Sequence, residues 1–125
     1  MSKSSNKASI KKIGCLTKEH IVLLGLSFEP SPILIGPSNQ QHMLNEHPDD
    51  YSNYFDQIAE ILKTPDYIGK HPFDGSIKYI KSFEEHVLVA VRVSSAGKFF
   101  ARSIYTINAE KLEHYIESGN TFKIG

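Results

Sequence analysis

Six histidines in a chain of 125 residues are the first groups to weigh, because an ordinary imidazole titrates near neutral pH and can both take and give a proton. The closest pair is His42 and His47, in the run HMLNEHP with Glu46 between them. A spacing of five does not stack two side chains on one helix face as a zinc-binding HExxH helix does, so proton transfer or a helix-end hydrogen-bond cluster fits better than a metal. Further on, Arg92, Ser103 and Tyr105, joined by Lys81 from a neighbouring strand, would place donors without an acid partner on one sheet face. That face suits an anion such as phosphate. Cations, hydroxyls and an imidazole are the parts for metal-independent RNA cleavage: a base removes the 2′-hydroxyl proton, cations stabilise the charge building on phosphorus, and an acid protonates the leaving oxygen. Polar residues on the open face of a half-covered sheet are also routine, so a surface without chemistry accounts for the same residues.

The element that must position these groups is the stretch 76–107, SIKYIKSFEEHVLVAVRVSSAGKFFARSIYTI, which reads as a three-stranded antiparallel meander. Val87, Val89, Val91 and Val93 fall on one face of the middle strand and Leu88, Ala90 and Arg92 on the other, following the two-residue period. Ser94–Lys98 is a Gly-containing run of hairpin length. With Ala96-Gly97 as its two-residue loop, Arg92 lies beside Ala101, and Ser103 and Tyr105 follow on the same face. The same register throws Arg102 onto the apolar face, which a bulge or another loop length would relieve.

Upstream, residues 1–12 are rich in Ser, Lys and Asn and are expected to form a flexible basic arm, leaving 13–125 as a single domain. Thr17 caps a short helix ending at Gly25, Ile33–Ile35 forms a brief strand, and Ser38 or Asn39 caps the helix carrying His42. Pro48 stops or bends that helix, and a second helix follows with Tyr54, Phe55, Ile58, Ile61 and Leu62 at helical spacing. Residues 66–72 run extended into the meander, where His71 can fix the chain entry or meet a ligand, and Asp74-Gly75 makes a turn. Asn108 caps a last helix with Leu112, Tyr115 and Ile116 as its apolar stripe, closed by Gly119. His20, His86 and His114 sit at element ends and read as surface residues. The plan is α+β, with N-terminal helices and a C-terminal helix on one face of an antiparallel sheet.

Composition narrows the function. Fourteen basic and fourteen acidic residues balance, so no global positive field draws the protein onto nucleic acid. Locally, residues 1–20 carry +4, residues 29–66 carry −6, and residues 78–125, which include most of the meander, carry +2. Cys15 is the only cysteine, which rules out an intrachain disulfide. No segment approaches the ~20 apolar residues needed to cross a bilayer, and a cytoplasmic protein without a membrane role is expected. A phosphate-binding glycine loop, paired zinc cysteines and a serine nucleophile elbow are absent from the sequence, and the meander face supplies none of the clustered carboxylates that a metal-dependent nuclease would want.

The runs IGCLTKEHIVLLGL, IGPSNQQHMLNEHPDDY, ILKTPDYIGKHP, DGSIKYIKSFEEHVLVAVR and GKFFARSIY, taken in order, resemble the phage- and mobile-element-associated PBECR domains of the barnase/EndoU/colicin/RelE-like nucleases, over about residues 13–124. The resemblance implies an RNase-like BECR fold and a metal-independent ribonuclease, often in toxin or host-conflict settings. Its partners would then be an RNA substrate and an antitoxin or immunity protein, with no cofactor. Carried over position by position, the HxxxxHP block falls on His42 and His47, the RS-x-Y block on Arg102, Ser103 and Tyr105, and the basic residue of the first meander strand on Lys81. Arg92 stands where the pattern often has a basic residue, and with Lys81 and His71 it is assigned to substrate binding. Lys78 replaces an acid at the start of the first strand. A catalytically inactive RNA- or protein-binding module of the same fold is the alternative that the residues leave open.

Overall fold

The computed structural model describes residues 10–124. A mixed seven-stranded sheet runs in the order β1-β2-β6-β5-β4-β3-β7, where β1 is Lys11–Leu16, β2 Ser31–Ile35, β3 Tyr67–Lys70, β4 Ile77–Ser82, β5 His86–Val93, β6 Phe99–Ile107 and β7 Thr121–Lys123. The meander is β4-β5-β6, all antiparallel. Outside it, β2 joins β6 in parallel through Ile33–Phe99 and Leu34–Phe100 alone, so the sheet is not purely antiparallel. The expected arm at 1–12 lies mostly outside the described residues; where the description begins, Lys11 and Lys12 already belong to β1.

The helices are α1 (Lys18–Leu24), α2 (Pro37–Glu46), α3 (Pro48–Tyr54), α4 (Ile58–Lys63) and α5 (Ala109–Glu117). Their ends follow local chemistry. The Thr17 hydroxyl accepts the His20 N–H, Gly25 closes α1 at φ 65°, and Asn108 Oδ1 accepts the Lys111 N–H at 2.7 Å. At α2 the cap is Gly36, not Ser38 or Asn39: Pro37 takes the first helical position, and Asn39 Oδ1 accepts the Gly36 N–H at 2.9 Å. Pro48 separates α2 from α3. Among the described residues, no helix is long and apolar enough to cross a membrane.

Strand alternation divides the core in two. Ile77, Tyr79, Val87, Val89, Val91, Phe99, Ala101 and Ile104 pack with Ile21, Leu24, Met43, Ile58, Ile61 and Leu62 of the N-terminal helices. On the other face Ile80, Leu88 and Ile107 meet Leu112 of α5, with Tyr67, Tyr105 and Tyr115 packed around them. The C-terminal helix therefore lies on the opposite face from the others, because Ile80 and Leu88 project away from the valine face. It covers one end of its face only. Beside β6, α3 closes the edge left free beyond Phe100: Thr106 N–H, which has no strand partner there, donates to Asp50 Oδ2 at 3.0 Å.

Two buried positions carry predictions. His20 is 6% exposed, not a surface residue, with Nδ1 unpartnered among the described residues and its ring edge-on to Tyr79 at 6.0 Å. Burial lowers its pKa, against a smaller upward pull from Glu19. The unfolded chain thus binds the proton more readily, so the His20 contribution is complete above the ordinary histidine value of 6.5 and declines as pH falls below it. Urea unfolding between pH 7.5 and 5 should show stability dropping in wild type and dropping less in His20→Phe. At Gly69, an added Cβ would run into Thr121 Oγ1 and approach the Asn120 carbonyl oxygen to 2.7 Å. Gly69→Ala should therefore lower stability by ~1–3 kcal/mol in the same assay, whereas an unchanged midpoint would show that β7 yields freely.

Candidate functional site

The half of the second face that α5 leaves uncovered is the floor of a cleft of about 330 Å³. Lys78 on β4, Ala90 and Arg92 on β5, and Arg102, Ser103 and Tyr105 on β6 line it from the sheet. His42 closes it from α2, Tyr115 from α5, and His71, Asp74 and Ser76 from the β3–β4 loop. The register explains the floor, since Lys78 pairs with Ala90 and Ala90 with Ser103.

Arg102 reaches this face through a bulge. Val91 pairs with Ala101 and Ala90 with Ser103, leaving Arg102 without a partner in the register. Ala101 and Ile104 both remain fully buried in the core, while the two residues between them line the cleft. Arg92 consequently lies beside Phe100 and not beside Ala101, the position that a regular hairpin would give it.

The β3–β4 loop is a compact hydrogen-bonded turn. Asp74 Oδ1 accepts from the Ser76 N–H at 2.8 Å and the Ser76 hydroxyl at 2.7 Å. These bonds hold the Asp74 carboxyl below its ordinary pKa, with His71 and Arg92 adding to the effect and partial burial opposing it. His71 Nδ1 accepts the N–H groups of Phe73 at 3.1 Å and Asp74 at 3.2 Å. The same nitrogen is 3.3 Å from Asp74 Oδ1. A proton on Nδ1 would face two N–H donors, so we assign the neutral ring the Nε2–H tautomer and read the carboxylate contact as close approach rather than an ion pair.

Lys78 is the most constrained cation in the cleft. It is 5% exposed, and its Nζ sits 3.7 Å above the Tyr115 ring centroid. Burial lowers its pKa, and Lys111 lowers it further, while Asp74 pulls it back up. Tyr105 is shifted upward, chiefly by burial, with Tyr115 and Asp74 adding. Arg92 and Arg102 have no carboxylate within ion-pair distance among the described residues. With neutral imidazoles, three cations thus face one carboxylate across the cleft.

Of the residues singled out from sequence, the fold brings together His42, His71, Arg92, Arg102, Ser103 and Tyr105. Two stand elsewhere. Lys81 projects to the other side of β4, opposite Val87, where Nζ donates to the Thr64 carbonyl at 2.8 Å. His47, at the α2–α3 junction, stacks on the Tyr105 ring at 5.0 Å and 29° without lining the cleft. The sequence reading missed Asp74, Ser76, Lys78 and Tyr115 as site residues, and the meander face has an acid beside it after all. Asp-Gly-Ser signalled the turn, whereas the choice of Lys78 over Lys81 follows from the β4–β5 register. Among the described residues, no group of three or more His, Cys, Asp and Glu side chains is placed to hold a metal ion.

A lysine only 5% exposed, held over a tyrosine ring and without a carboxylate in ion-pair contact among the described residues, is poorly explained by stability, because desolvation opposes it. Lys78→Met should leave the thermal midpoint unchanged or raise it. A loss of more than ~2 kcal/mol would instead make the Lys78–Tyr115 contact structural.

No curated protein and no solved structure gives a significant match to the chain. A sequence-family profile does, over residues 11–114, from β1 into α5, and so includes every cleft residue except Tyr115. That match spans far more than half of the chain. On it, and on the α+β architecture above, the protein belongs to PBECR3, the phage-Barnase-EndoU-ColicinE5/D-RelE like nuclease3 family.

Proposed function

We propose that the protein is a metal-independent endoribonuclease that cleaves RNA by transesterification in the open cleft. The observation that carries this reading is the convergence of His42 and His71 with Lys78, Arg92 and Arg102 on one uncovered face. His42 takes the 2′-hydroxyl proton, and the resulting 2′-oxygen attacks phosphorus. Arg92, Arg102 and the His71 Nε2–H stabilise the non-bridging oxygens as negative charge grows on them. The bond from phosphorus to the 5′-oxygen breaks, and that oxygen takes its proton from Lys78, whose lowered pKa makes it a readier donor than an ordinary lysine. Ser103 and Tyr105 orient the phosphate, and His47 steadies the Tyr105 ring. The products are a 2′,3′-cyclic phosphate and a 5′-hydroxyl.

The same reading places the protein in a toxin or host-conflict role in the cytoplasm, with cellular RNA as substrate and an antitoxin or immunity protein as the partner that would restrain it. Substrate selection falls to the 2′-hydroxyl, which DNA lacks.

Purified protein incubated with structured RNA in EDTA should yield 2′,3′-cyclic phosphate ends and should leave the 2′-deoxy counterpart intact. Arg102→Ala should lower cleavage by ~10²-fold or more, and His42→Ala by ~10²–10⁴-fold, with circular dichroism unchanged. Retention of RNA without cleavage would point to a binding module, and undiminished cleavage by Arg102→Ala would remove the arginine from the mechanism.

A further inference from the structure

The cleft does not end at the arginines. Beyond Arg92 and Arg102 lies a second cavity of about 270 Å³, and both guanidinium side chains form part of its wall together with Pro37, Val93, Ser94 and Phe100. The register sets its composition. Arg92 and Phe100 are paired across β5 and β6, and Arg102, the unpaired residue of the bulge, follows two residues after Phe100, so the ring lies among the positions that bear the two guanidinium groups.

The two cavities differ chemically. The first holds a carboxylate, a lysine and two imidazoles. The second has no titratable group among the described residues other than the shared arginines, and its other walls join apolar Ile10, Pro37, Val93 and Phe100 to the uncharged Ser38, Asn39 and Ser94. A ligand that spans both must carry negative charge where the arginines stand and a flat, weakly polar part beyond them. A nucleotide has this form: its phosphate meets the guanidinium groups, its base face meets Phe100, Pro37 and Val93, and its base edge can reach the Ser94 hydroxyl. Arginines common to both cavities mark where a continuous strand would pass from one to the other.

We propose that the second cavity is a nucleobase subsite for a nucleotide neighbouring the reacting phosphodiester, so that cleavage depends on a base held outside the catalytic cleft. The proposal rests on the ribonuclease reading for the identity of the strand.

The test uses a pentanucleotide with one cleavable ribonucleotide linkage, alongside versions made abasic at each of the other positions in turn. In wild type, removing one particular base should lower kcat/KM by ~10-fold or more, in keeping with the effect of a base stacked on an aromatic side chain. That penalty should shrink toward unity in Phe100→Ala and in Val93→Ser, the second chosen because Val93 is 43% exposed and its replacement does not threaten folding. If no single base matters, or if both variants keep the full penalty seen in wild type, the subsite is overturned while the ribonuclease reading stands. If wild type cleaves none of the oligonucleotides, the ribonuclease reading fails. Fluorescence anisotropy with the same set then decides the subsite: base-dependent affinity lost in the variants supports it, and affinity indifferent to the bases overturns it.

Discussion

Between Ala101 and Ile104, both wholly buried, β6 carries two consecutive residues that project to the same side of the sheet. In a regular strand one of them would enter the core. Because the bulge adds a residue without moving the flanking core positions, Arg102 and Ser103 share the open face while the valine side of the sheet stays sealed. The cleft depends on that local irregularity more than on any single contact. Shifting the strand by one residue would bury a guanidinium group without a partner and expose Ile104.

The charges follow from the same division of faces. The N-terminal helices seal one side with aliphatic residues, so the polar residues of β4, β5 and β6 gather on the other, where α5 covers only one end. Lys78 sits where coverage stops. It is deep enough for its ammonium to lose hydration and close enough to the cleft to face what enters. Asp74, fixed by Ser76, is the lone carboxylate among the described residues that line the cleft, and it tempers a field that would otherwise be set by three cations. A local field of this kind is compatible with a neutral chain, because the balancing acids lie mainly in the segment 29–66.

Much of this was legible in the residues. The strict alternation at 87–93 gave the central strand and its faces, Thr17 and Asn108 marked helix starts, and Gly25 and Gly119 marked helix ends. What escaped was the product of long-range pairing. β1, with its lysines, and the three-residue β7 have weak patterns of their own and exist as strands because partners lie beside them. Which of Lys78 and Lys81 faces the cleft depends on the β4–β5 register, and the direction of Arg102 depends on the bulge; neither is encoded in a spacing. His20 looked like a surface residue at a helix start because composition alone does not show that Tyr79 lies against it.

The edge closure of β6 also has a temporal side. Asp50 meets Thr106 across 56 positions of chain, and the cleft draws on residues from His42 to Tyr115. Contacts so distant along the chain form late, because loop closure must precede them. A polypeptide emerging from the ribosome therefore has its histidine-bearing helix long before it has the arginines and the tyrosine wall. The cleft is therefore complete only once the segment that carries Tyr115 has been made and has folded against the sheet.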